Sequence, residues 1–171
     1  MTPTLSANVQ SPGTPLRHTW SLCVGAGRAN EALRAGWLEH LASARLHAGF
    51  RYVRFHGIFH DDMFVYRVQK GVEIWNWQYV DDVFDRMLDM GVKPFVELAF
   101  CPGDLARRRA TVFWWKGNGL PPKDWDKWEE LVRRFTEHCV ARYGLGRGAG
   151  DITARQQPNR MIRLRVASKP G

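Results

Sequence analysis

Apolar positions along this chain fall into two alternating rhythms. Residues 18–24 read as a short strand running into Gly25-Ala26-Gly27, a turn where positive φ is inexpensive. Asn30 is placed to cap a helix with Leu33, Trp37, Leu38 and Leu41 on one face, ending near Gly49. Residues 50–57 form a second strand by β-branched and aromatic content, with Tyr52, Arg54 and His56 on one side and Val53 and Phe55 on the other. After a loop, Asn76 caps a second helix carrying Val80, Val83, Phe84, Met87 and Leu88, closed at Gly91. Residues 92–100 make a third strand, with Glu97 facing away from Val96 and Leu98. A long loop over 101–123 follows, and Asp124 caps a third helix with Trp125, Trp128, Leu131, Val132, Phe135 and Cys139 inward. The predicted order is βαβαβα.

Strands alternating with helices in this way indicate parallel βα units, in an open doubly wound sheet or in part of an eight-fold barrel. Strands of doubly wound sheets are apolar on both faces, whereas strands two and three each place polar groups on one. Arg54, His56 and Glu97 near the strand ends suit a barrel mouth. Three units are too few to close a barrel of about 250 residues.

Composition changes this picture at the two ends. Residues 1–17 are rich in Thr, Ser and Pro without periodicity and read as an extended or disordered arm. Residues 18–145 hold the predicted elements, and residues 146–171 form a tail without Phe, Trp or Tyr. That tail carries Arg147, Arg155, Arg160, Arg163, Arg165 and Lys169 against Asp151, most of the formal charge of +8. Basic residues without interleaved aromatics are a poor signature of nucleic-acid binding, so the excess charge reads as an unstructured tail. At 171 residues and 44% hydrophobic the chain can bury a core. No stretch approaches the ~18 apolar residues of a membrane helix, and no signal-peptide core opens the chain, so a cytoplasmic protein is expected. Cys23, Cys101 and Cys139, at wide spacings, are expected to be free thiols.

Several stretches together resemble glycoside hydrolase family 39, the group of β-xylosidases related to α-L-iduronidases. They are Gly25-Ala26-Gly27-Arg28-Ala29, Gly49-Phe50-Arg51-Tyr52-Val53-Arg54-Phe55-His56-Gly57, His60-Asp61-Asp62-Met63, Lys93-Pro94-Phe95-Val96-Glu97-Leu98, and Trp114-Trp115-Lys116-Gly117-Asn118 through Pro121-Pro122-Lys123-Asp124-Trp125. The resemblance covers roughly residues 18–145. It implies a partial (β/α)8 TIM barrel of about three βα units, and a retaining mechanism using two carboxylates about 5 Å apart. In the family the proton donor is the Glu of an Asn-Glu-Pro stretch ending strand four and the nucleophile a Glu ending strand seven. Asn30-Glu31 is followed by Ala, and Pro158-Asn159 carries no Glu, so no residue is assigned a catalytic role. After Arg142-Tyr143-Gly144-Leu145 the resemblance stops, and the arginine-rich run beyond has the composition of an out-of-frame reading of a GC-rich gene.

On this reading Arg54 orients a carboxylate or pairs with Glu97, His56 donates to a sugar hydroxyl, and Glu97 partners Arg54 or a hydroxyl. Trp114 and Trp115 stack on a pyranose or anchor their loop, and Lys116 binds a hydroxyl or is solvated. His56, His60, Asp61 and Asp62 match no strong metal spacing and read as sugar and packing contacts, so neither metal nor cofactor is expected. Phe64 stands where the family usually has a small residue. The partner implied is a xylo-oligosaccharide or other β-glycoside of the parent enzyme, with no nucleic acid and no membrane. The fragment itself is expected to be inactive. A non-catalytic carbohydrate-binding half-barrel and, more remotely, a nucleic-acid binder using the basic tail are the alternatives.

Overall fold

Three strands in the chain pair side by side in a parallel sheet, β1 (Cys23–Arg28), β2 (Tyr52–His56) and β5 (Lys93–Val96), in the order β1-β2-β5. The computed structural model describes residues 3–144 together with the backbone of 154–156 and 160–162. Cys23 aligns with Tyr52, and Arg54 with Phe95. Helix α1 (Ala35–Ala48) links β1 to β2, and α2 (Gln78–Asp89) precedes β5. Two hairpins interrupt the loops, β3 (Tyr66–Gln69) with β4 (Val72–Trp75), and β6 (Thr111–Val112) with β7 (Gly117–Asn118). Helix α3 (Trp125–Tyr143) follows.

The alternation along β2 and β5 divides the sheet as its pattern predicts. Val53, Phe55 and Val96 are buried and join the core with Val80, Val83, Phe84 and Met87 of α2 and Leu131, Phe135 and Cys139 of α3. Phe84 stands edge-on to Phe55 and to Phe135, with ring centroids 6.3 and 6.2 Å apart. Asp124 caps α3 as expected, its Oδ1 accepting from the N–H groups of Asp126 and Lys127. Asn76 Oδ1 accepts from Gln78 N–H at 3.1 Å at the start of α2. Gly49, at φ 69°, ends α1, and Gly91, at φ 70°, follows α2.

Four expectations are corrected. The first strand begins later, at Cys23, because residues 19–21 form a 3-10 turn and pairing with β2 carries the strand through Arg28. Gly25 and Gly27 therefore lie inside a strand, not in a positive-φ turn. A Cβ on Gly27 would stand 2.2 Å from Glu31 Oε2, the end of a flexible side chain that can swing aside. Asn30 does not cap α1: it lies within a 3-10 turn (Ala29–Leu33), and its Nδ2 donates to Asp62 O instead. Trp125, expected in the core, is 51% exposed, because as the first residue of α3 it stands before the helix reaches the sheet layer. Finally, the loops hold hairpins. The β3–β4 connection is Lys70-Gly71, both at positive φ, the backbone that a two-residue type I′ turn requires.

Residues 3–18 are exposed and hold no helix or strand. Within the arginine-rich stretch, β8 (Ala154–Gln156) pairs antiparallel with β9 (Arg160–Ile162). The rest of that stretch, with the composition change at Gly146, lies outside the described residues.

Candidate functional site

Parallel strands end at one edge of a sheet, and here that edge gathers chemistry. Arg28 ends β1, His56 ends β2, and Glu97 immediately follows β5. Arg54 and Glu97 come together because their strands are neighbours: Glu97 N–H donates to Phe55 O at 3.2 Å, which sets the carboxylate beside the Arg54 guanidinium. Arg54 Nη2 donates to Glu97 Oε1. The arginine side chain is 43% exposed and the glutamate 13%, so the pair is sheltered on the acid side and open on the other. An ion pair so open contributes little to stability and leaves guanidinium donors available to a ligand.

His56 belongs to an aromatic wall beside that pair. Its ring lies nearly parallel to Trp115 at 5.6 Å and to Phe113 at 6.3 Å, and edge-on to Phe100 at 6.0 Å. Burial pushes the imidazole pKa down, against the opposing charges of Glu97 and Glu31. His56 is thus kept neutral near pH 7, with one ring nitrogen able to donate and the other to accept.

Trp115 is the centre of the wall. Phe113 stacks beside it at 5.2 Å, and Phe100 and His60 stand perpendicular at 5.1 and 4.9 Å. The Arg28 guanidinium lies over its ring at 5.0 Å. The ring rests on the backbone of Gly117, where a Cβ would stand 2.5 Å from Trp115 Cζ3. Trp115 is thus surrounded by protein contacts. Trp114 is 80% exposed. Lys116 is exposed, and it is its carbonyl that meets the cluster, 3.4 Å from His60 Nε2.

A polar anchor ties the wall to β1 and β2. Arg28 is 7% exposed, donates from Nη1 to Asp62 Oδ2, and has Nε 3.6 Å from Glu31 Oε1. Asp62 Oδ1 is 2.8 Å from His60 Nδ1. Burial alone would lower the His60 pKa, but hydrogen bonding to Asp62 and the charges of Asp62 and Asp61 outweigh it and raise the value. Asp61 turns away, accepting from Gly103 N–H at 2.7 Å. Among the described residues no group of three or more His, Cys, Asp or Glu is arranged to hold a metal ion.

Of the residues singled out from sequence, Arg54, His56, Glu97 and Trp115 are brought together, while Trp114 and Lys116 stand at the rim. Sequence reasoning missed Arg28, Phe100 and Phe113 as members of the wall. Arg28 was findable: it ends a strand, like His56, on the same edge.

The fold and the site define an α/β protein with a parallel sheet whose strand ends carry an ion pair and an aromatic wall, part of a barrel architecture. Residues 4–149 match the model for glycosyl hydrolases family 39, and the chain belongs to that family. It is 41% identical over 143 residues to a beta-xylosidase of Geobacillus stearothermophilus, covering 81% of this chain and 28% of the relative. To a beta-xylosidase of Caldicellulosiruptor saccharolyticus it is 41% identical over 126 residues, 73% of this chain and 26% of the relative. The crystal structure of a monomeric beta-xylosidase from Caulobacter crescentus matches with a TM-score of 0.72 and 34% identity, over 80% of this chain and 28% of that one. The chain thus spans little more than a quarter of the length of the relatives it matches.

Proposed function

We propose that this chain supplies the first three βα units of a family 39 barrel and, with them, one wall of the sugar site of a retaining β-xylosidase. The observation that carries the reading is the Arg54–Glu97 pair beside His56 at the C-terminal edge of the parallel sheet. Active sites of parallel barrels form at that edge, because loops leaving the strand ends converge there.

The division of labour follows from the groups. Arg54 presents guanidinium N–H donors that suit a carboxylate or a sugar hydroxyl. His56, held neutral by burial, offers a donor and an acceptor to a hydroxyl pair. Glu97, with one oxygen taken by Arg54, has the other oxygen to accept from a hydroxyl. Hydrogen bonds to sugar hydroxyls that strengthen toward an oxocarbenium-like transition state lower the barrier. Lys116 stands at the rim as a donor to a more distant hydroxyl.

Retaining hydrolysis needs a proton donor and a nucleophile about 5 Å apart across the anomeric carbon. Glu97, committed to Arg54, is one positioned acid without that geometry, so on this reading the 171-residue chain binds without catalysing. The test is hydrolysis of an aryl β-xyloside by the purified chain and by a version extended with the remaining portion of a family 39 relative. Hydrolysis confined to the extended protein is expected. Turnover by the 171-residue chain itself would overturn the assignment of Glu97 as a binding group.

A further inference from the structure

The two adjacent tryptophans of the β6–β7 hairpin have different surroundings, and the difference points to a second binding position. Trp115 is surrounded by His56, Phe113, Phe100, His60 and Arg28 and rests on Gly117. Trp114 is 80% exposed, one residue away. Between β6 and β7 the chain makes a four-residue turn closed by Lys116 N–H donating to Phe113 O at 3.1 Å. Phe113 and Lys116, neither of them glycine, take φ of 62° and 60°. Left-handed backbone at two side-chain-bearing residues is costly and needs surrounding structure to hold it. Between those two residues stand the successive indoles, one enclosed and one exposed.

The outward ring has a fixed support. The Arg28 guanidinium carbon lies 5.3 Å from the Trp114 ring centroid, and Arg28 is itself 7% exposed and tied to Asp62. A ring with a buried cation on one side and 80% exposure overall turns its other face to solvent. Arg28 also lies over Trp115, whose ring stacks on His56, so one buried guanidinium links the exposed indole to the aromatic wall. A flat, supported, solvent-facing indole is what the C–H face of a pyranose stacks upon. Exposed hairpin tips are otherwise furnished with small polar residues.

We propose that Trp114 is a stacking platform for a second pyranose, the residue of an oligosaccharide next to the sugar held by Arg54, His56 and Glu97. This rests on the sugar-site reading above and adds selectivity for chain length to it. Trp115 on this assignment positions His56 and holds the hairpin, and offers no free face to sugar.

The test uses the 171-residue chain with 15N-labelled tryptophan, titrated with xylose and with xylotriose while the indole N–H resonances are followed. Xylotriose is expected to bind about twofold to tenfold more tightly than xylose, the range of one aromatic contact. The Trp114 indole resonance should move with xylotriose and stay fixed with xylose. In Trp114→Ala the ratio of the two affinities should fall to about one, and Trp114→Phe, which keeps an aromatic face, should restore part of it. Xylose binding with equal affinity for both sugars, or a length preference that survives in Trp114→Ala, overturns the platform while leaving the Arg54–His56–Glu97 site intact. No binding of either sugar overturns both.

Discussion

The two faces of the β1-β2-β5 sheet are built from the same strands and do opposite work. On one, Val53, Phe55 and Val96 are at most 1% exposed and meet α2 and α3. On the other, Tyr52, Arg54, His56, Phe95 and Glu97 are all partly exposed. Residues one apart in sequence thus differ in whether they are wrapped by helices. The covered face carries the apolar burial that holds the chain together, and the open face carries donors, acceptors and rings whose value lies in what they meet. Substitutions on the two faces should therefore fail in different currencies, one in stability and the other in ligand binding.

The largest effect is expected on the covered face. Phe55→Ala removes a ring packed edge-on against Phe84 and leaves a cavity among residues that cannot collapse into it, costing about 3–5 kcal/mol. The urea midpoint and near-ultraviolet circular dichroism would report it, and a loss under about 1 kcal/mol would mean that the helix layer is not packed as described. Next comes Gly117→Ala, in the β6–β7 hairpin. Its new Cβ cannot coexist with Trp115 Cζ3 at 2.5 Å, so the indole must leave its seat. The expected cost is about 1–3 kcal/mol, together with loss of the upfield ring-current shifts on His56 that the stack produces. An unshifted His56 spectrum in the variant would show that Trp115 does not rest on that glycine.

These two cases also show what was legible in the amino-acid sequence. The period of two in residues 52–56 assigned Val53 and Phe55 to the core and Arg54 and His56 to the other face, because alternation is a property of the strand itself. The cap at Asp124 was equally local, a side chain answering two nearby N–H groups. Gly27 and Gly117 were not legible in the same way. Gly27 read as part of a turn yet lies inside β1, and Gly117 seats the rigid Trp115 ring, an approach that depends on tertiary packing. Asn30 failed for a like reason: a polar side chain within reach of Asp62 O serves a tertiary partner in place of a helix end. Arg28 reaches Asp62, 34 residues away, and two tryptophans still further along, contacts without any local trace.

On the open face Arg54→Met should change stability by less than about 1 kcal/mol, since the pair it breaks is exposed on the arginine side. The same change should abolish detectable xylose binding by the chain in an NMR titration. A stability loss as large as that of Phe55→Ala would place Arg54 in the core's account and would erase the contrast between the faces.

The smallest net effect is a pH dependence in which two histidines oppose each other. His60, raised by Asp62, adds stability that is complete below its unfolded pKa near 6.5 and is lost as pH rises through its higher folded value. His56, lowered by burial, adds stability that is complete above 6.5 and is lost as pH falls through its lower folded value. One contribution therefore falls with pH just above 6.5 while the other rises just below it, so the stability of the native chain passes through a maximum near pH 6.5. Removing either should take away one limb of that maximum. His56→Gln should make the slope of stability against pH more negative than in the native chain, and His60→Gln should make it more positive. Urea midpoints between pH 5 and 8 measure both slopes. Imidazole C–H resonances supply the order independently, since on acidification His60 should take up its proton before His56. Reversed slopes or reversed order would mean that His56 is not shielded within the aromatic wall, and that the open face is wetter than its neighbours at Trp115 and Phe113 allow.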